Sequence, residues 1–180
     1  KTYIISKSKT EHNLLIPSDV YYLNGESGLI TTRYLENLHG EIKVIGGENL
    51  EDLSRLFLNG KFNKIDLTKL NASKVKTMEK MFLYCNTDTL DLSTLDTSSV
   101  TNMSKMFSNF KGKRIYFGEM NTSNVVYMRR MFSGCELSSG ELNLSNFNTS
   151  QVIDMYAMFS NCKVKNIDLR SFNTSKVTTM

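Results

Sequence analysis

The sequence predicts an α/β repeat solenoid, a stack of short parallel strands and short helices in about five to six repeats. Three observations predict it: a fixed period, a short alternating stretch in each unit, and a recurring apolar stripe after it. The stretch "NTSNVVYMRRMFSGC" (Asn121 to Cys135) returns as "NTSQVIDMYAMFSNC", "DTSSVTNMSKMFSNF" and "NASKVKTMEKMFLYC", with "ENLEDLSRLFLNG" as a degenerate first copy and "NTSKVTTM" as a last one. Leu50, Val75, Val100, Val125, Val152 and Val177 mark the copies, so the period is 25 residues with one two-residue insertion. Self-similarity at this period means stacked supersecondary units.

The strand of each unit is read from period-two alternation in "KIDLT", "TLDLS", "RIYFG", "ELNLS" and "NIDLR". Ile65 and Leu67, Leu90 and Leu92, Ile115 and Phe117, Leu142 and Leu144, and Ile167 and Leu169 are the inward positions of half-buried strands. An Asx and hydroxyl cluster follows, of the kind that satisfies free N–H groups at a helix start. Val152, Met155, Met158 and Phe159 then form one face of a short helix, repeated as Val75, Met78, Met81, Phe82 and as Val100, Met103, Met106, Phe107. A unit of this size cannot bury its apolar side alone; stacking places each strand about 4.8 Å from its copy.

Residues 1–49 are expected to be an N-terminal cap, with strands at Tyr3 to Ile5 and Val20 to Leu23. The cap ends in a degenerate repeat carrying Ile30 and Tyr34 on its helix and Ile42 and Val44 on its strand. Residues 50–180 are the solenoid, read as truncated at the C-terminus because the last copy stops at Met180. That open repeat leaves Val177 and Met180 without a following unit, which predicts self-association through this end.

Composition narrows the function classes. The chain is 40% apolar and 22% charged, as folded soluble proteins are, and no apolar run approaches the length needed to span a bilayer. The net charge is +4 at pH 7, with Lys and Arg spread among acids along the sequence instead of gathered in a stripe, which argues against nucleic acid as the partner. Cys85, Cys135 and Cys162 share one slot that Phe110 and Gly60 fill in other copies, so free thiols packed as small hydrophobes are expected. All methionines except Met120 fall in two slots, which favours packing over a soft-metal site. His12 and His39 sit in no nucleophile or metal motif, and no P-loop, dinucleotide turn or zinc pattern appears; no enzyme and no cofactor is expected.

Units of the form L-D-L-S-x-F/L-D/N-T-S-x-V-x-x-M-x-x-M-F-x-x-C, best seen at Leu90 to Phe107 and Ile167 to Met180, resemble the BspA-like leucine-rich-repeat surface proteins. The repeat type is that of mycoplasma lipoproteins and many Firmicutes, and the resemblance covers roughly Leu50 to Met180. It implies a leucine-rich-repeat-like, right-handed stack on a bacterial surface or secreted from the cell. The function it implies is adhesion or binding to host, extracellular-matrix or other cell-surface proteins, a virulence role, with no catalytic residue. The alternative is a structural stalk presenting another domain.

The candidate partner face is the outward strand ladder Asp66, Asp91, Tyr116, Asn143 and Asp168, with Arg170 in the next row. Tyr116 is the strongest contact candidate, as an aromatic in a polar row. The same Asp and Ser residues also read as turn caps that keep the sheet soluble. A shared hard cation on the Asp ladder is a further reading, weakened because Tyr116 breaks the row. Asn71, Asn121, Asn148 and Asn173, and Asn102, head Asn-x-Ser/Thr triplets; capping explains the fixed slot better than glycosylation, because Asp96 also occupies it.

Overall fold

The computed structural model describes residues 2–6, 20–22 and 40–180. The expected helix face of Ile30 and Tyr34, and both histidines, lie outside these residues. The strands are β1 (Thr2–Ser6), β2 (Val20–Tyr22), β3 (Glu41–Gly46), β4 (Lys64–Leu70), β5 (Thr89–Asp91), β6 (Lys111–Gly112), β7 (Arg114–Tyr116), β8 (Glu136–Leu137), β9 (Glu141–Leu142) and β10 (Asn166–Ile167). All pairings are parallel, and the chain forms a β-solenoid of about five turns.

Three ladders run along the stack. The first holds the alternating strands: β2, β1, β3 and β4 form one sheet, β5 pairs with β7, and β9 pairs with β10. The second links Lys61, Asn86, Lys111, Glu136 and Lys163; the third links Asp52, Thr77, Asn102, Tyr127, Asp154 and Thr179. The inward positions are buried as their alternation requires from Ile42 and Val44 through Leu142 and Leu144. In the last coil, Ile167 is half-buried and Leu169 is exposed.

No α-helix occurs among the described residues: turns stand where helices were expected over 50–180, and these residues form a β-solenoid instead of the expected α/β stack. The stripe of Met78, Met81, Phe82 and Cys85 is buried, but on a run of turns. Met78, Lys80, Phe82 and Tyr84 donate their N–H groups to Asn102, Ser104, Met106 and Ser108 of the next coil at 2.9 to 3.0 Å. Between them, Met81, Leu83 and Cys85 donate back three residues, to Met78, Lys80 and Phe82. Lys80 and Tyr84 hold φ of 59° and 56°, a left-handed backbone that a right-handed helix excludes. The alternation of crossing and local bonds satisfies the backbone without a helix.

The core is a column of stacked copies. Phe57, Phe82, Phe107, Phe132 and Phe159 stack at centroid distances of 5.2, 5.5, 5.3 and 5.8 Å, with ring planes within 12° of parallel. Phe117, from the strand side, meets Phe107 and Phe132 edge-on, so the strand and turn segments face each other across one core. The six methionines of Met78, Met81, Met103, Met106, Met128 and Met131 are fully buried, as packing predicts. Cys85 and Cys135 are buried free thiols, and Cys162 is half-buried.

Hydroxyl and amide side chains tie the polar slots. Thr97, Thr122 and Thr149 are buried and donate across one coil to the carbonyls of Asn121, Asn148 and Asn173 at 2.7 to 3.0 Å. Asn71, Asp96, Asn121, Asn148 and Asn173 accept from the N–H two residues on, so this slot caps turns where helix caps were expected.

Candidate functional site

The strand side exposes the predicted ladder, and local bonds occupy most of it. Asp66 accepts from the Thr68 N–H and hydroxyl at 3.0 and 2.6 Å. Asp91 does the same with Ser93 at 2.9 and 2.6 Å, and Asn143 with Ser145 at 3.0 and 2.7 Å. Asp168 takes the Arg170 N–H and a two-pronged guanidinium contact, with Nη2 at 2.6 Å. That guanidinium holds the Asp168 carboxyl down at about 2, below the usual carboxylate range. Asp66 is pushed up by burial, but the Thr68 bonds and the charges of Lys43 and Lys64 outweigh this and leave it lowered. These Asx turns follow from placing Asp or Asn two residues before a hydroxyl at a strand end.

Tyr116 is different. It ends β7, sits in register with Asp91, and is 46% exposed despite its apolar ring. The Arg114 guanidinium lies 5.7 Å from the ring centroid and donates to the phenol oxygen at 3.3 Å. Beside it the strand ladder divides, because β7 pairs only with β5 and β9 only with β10. The ladder also divides between β4 and β5; the division beside Tyr116 is the one that coincides with the long repeat, where Ser138 and Ser139 donate to the carbonyls of Gly112 and Lys113 before β9 begins. A cleft of about 200 Å³ opens there, lined by Tyr116, Gly118, Asn143, Ser145 and Asn146 over the rings of Phe117 and Phe147.

The walls of the cleft are fixed in place. Gly118 has φ of 56°, and a Cβ there would lie 2.7 Å from the Ser93 side chain. Its carbonyl accepts from the Asn146 side-chain amide at 3.1 Å, bridging the gap. Two of the predicted residues, Tyr116 and Asn143, therefore meet in one cleft, and Asp168 and Arg170 form a pair of their own. Asp66 lies at the far end of the row, 3.7 Å from the Lys43 ammonium. The cleft lies at the insertion, whose position is legible in the sequence.

Sequence reasoning missed the turn side. There Tyr127 and Tyr156 are exposed, and the Arg129 guanidinium lies 4.2 Å above the Tyr156 ring while reaching Asp154 at 3.6 Å. No group of three or more metal-ligating side chains occurs among the described residues. No helix among them is long and apolar enough to cross a membrane.

A family described as "Mycoplasma protein of unknown function, DUF285" matches residues 33–116 and again 109–180. The chain belongs to this family. The two matches of this Mycoplasma family together cover residues 33–180 and overlap at 109–116, at the Phe110 slot and β7. No curated protein and no solved structure matches the chain.

Proposed function

We propose that this chain is a binding module of the BspA-like leucine-rich-repeat type, displayed on the bacterial surface or secreted, that adheres to host, extracellular-matrix or other cell-surface proteins through its strand side. The observation that carries the reading is Tyr116, an exposed aromatic at the lip of the cleft where the ladder divides. Aromatic and arginine side chains over a preformed hollow are the residue types that dominate protein interfaces. The reading assigns the chain no reaction and no cofactor.

A second reading, the structural stalk, draws on the Asx turns: Asp66, Asp91, Asn143 and Asp168 spend their acceptors on their own chain. A panel of immobilised matrix and plasma proteins, probed at two salt concentrations with wild type, Tyr116→Ala and Arg170→Ala, separates the two. Adhesion predicts saturable binding lost in Tyr116→Ala. A blank panel from a folded protein, or binding indifferent to both substitutions, supports the stalk.

Self-association belongs to the proposal as well. The last coil carries an apolar hollow of about 530 Å³ lined by Met155, Met158, Phe159, Leu169, Phe172 and Met180. Leu169→Lys with Met180→Lys is expected to shift the sedimenting species of this chain toward monomer.

A further inference from the structure

Each coil holds two residues with left-handed backbone on its turn side. One slot is filled by Asn59, Tyr84, Asn109, Gly134 and Asn161, mostly the residue types that tolerate this conformation. The other is filled by Arg55, Lys80, Lys105 and Arg130 in four successive coils, at φ of 61°, 59°, 56° and 52°, and then by Ala157. Arg and Lys have no local hydrogen bond to offset this conformation, as Asn has. Backbone strain held in the same slot of consecutive coils points to a use for the side chains.

The register stacks these cations. Arg55, Lys80, Lys105 and Arg130 donate their N–H groups to Glu79, Ser104, Arg129 and Tyr156, in each case the residue just before the equivalent slot of the next coil, at 2.8 to 3.0 Å. Rungs lie about 4.8 Å apart, so the four charges span about 14 Å along the solenoid axis. Arg55 and Arg130 are exposed, and Lys80 and Lys105 are half-exposed. Among the described residues, Lys80 alone of the four pairs with a carboxylate, Glu79 at 2.8 Å, while Arg129 beside the row is itself paired with Asp154 at 3.6 Å. Stacked like charges repel. The stripe that the sequence lacks is thus present in the fold, because cations 25 residues apart become neighbours.

We infer that this turn-side row of Arg55, Lys80, Lys105 and Arg130 is a binding site for a linear sulfated polysaccharide, separate from the strand-side cleft. Several anions per disaccharide match closely spaced rungs. An extended acidic peptide presents same-side carboxylates only every ~7 Å. A single-stranded nucleic acid draws on open aromatic faces stacked one after another; the exposed turn-side rings Tyr84, Tyr127 and Tyr156 occupy three different slots, so none has an aromatic copy in the next coil, and Tyr156 is covered by Arg129.

Heparin is the probe, measured by titration calorimetry on the whole chain. Four contacts released by salt predict a loss of about a hundredfold between roughly 50 and 200 mM salt. Lys105→Asn with Arg130→Asn is expected to weaken low-salt binding by about tenfold while the melting temperature holds or rises, since Asn suits the left-handed slot. Arg55→Asn, at the other end of the row, is expected to weaken it by about threefold. Lys64→Gln with Lys69→Gln, which removes equal charge from the strand side, is expected to leave binding within twofold of wild type. An equal loss in this control would reduce the effect to net charge and overturn the site. So would the absence of saturable heparin binding, or an oligonucleotide that competes more strongly than heparin. Tyr116→Ala leaves heparin binding unchanged, so this site and the strand-side reading stand or fall separately.

Discussion

On the strand side, coils from β5 onward pair for two or three residues at a time, and the ladder divides between β4 and β5 and again between Tyr116 and Asn143. On the turn side, alternate N–H groups from Leu53 to Gly134 cross to the next coil without a break. Both sides cover the same column of rings, so burial does not separate them. The division between β4 and β5 lies in repeats of ordinary length, and the division beside Tyr116 falls where the long repeat takes up its extra residues: Ser138 and Ser139 follow the last turn-side bond of that coil and precede β9. An insertion placed there leaves the turn-side rows intact and opens a cleft among the strands. The turn side therefore supplies continuity, and the strand side is free to vary.

The sharpest break in this comparison would come from the ring column. Phe107 stacks on Phe82 and Phe132 and meets Phe110 and Phe117 edge-on. Phe107→Ala should lower unfolding stability by about 3 to 5 kcal/mol, measured by urea denaturation, whereas Tyr116→Ala should stay within about 0.5 kcal/mol. Similar costs at the two positions would mean that the strand side carries as much of the stack as the turn side.

Smaller changes test the joints between coils. Thr122 donates to the Asn148 carbonyl at 2.9 Å and accepts the Asn148 N–H at 2.8 Å, both buried or partly so. Thr122→Val should cost about 1 to 3 kcal/mol by stranding both groups. Gly118→Ala meets the Ser93 side chain and an unfavourable φ, and should cost about 1 to 3 kcal/mol while closing the cleft. A neutral Gly118→Ala would show that the cleft wall shifts freely.

The smallest effect is electrostatic. Asp168 titrates at about 2 in the folded chain, below the ordinary value near 3.9. Its folded pKa is lowered, so its contribution is present above about pH 4 and is lost as pH falls through about 2. An NMR titration should place this carboxyl near 2 and return it toward about 4 in Arg170→Ala; an unchanged midpoint would remove Arg170 as the cause.

Much of the fold was legible in the sequence because the period marks every slot. The buried positions at Val75, Met78, Met81 and Phe82 follow from recurrence alone. The helix was misread for a definite reason: spacing of i, i+3, i+6 and i+7 at Val75, Met78, Met81 and Phe82 is produced equally by a helix and by successive turns. What separates them is the crossing bond from Lys80 to Ser104, a contact between coils that no local pattern records. Arg55, Lys80, Lys105 and Arg130 share one slot of the same period and were legible by aligning the copies; the left-handed backbone that holds them was not. Tyr116 was legible as an aromatic in a polar row, but the cleft beside it depends on how the insertion turns, and alternation says nothing of that.

The account rests on hydrogen bonds that cross between coils on the turn side, and through-bond NMR couplings across those bonds test it most directly. A coupling from the Lys80 amide nitrogen to the Ser104 carbonyl carbon, repeated from Lys105 to Arg129, is the predicted result. A coupling from Lys80 back to Lys76, four residues earlier as in an α-helix, would contradict the solenoid and with it the row of stacked cations.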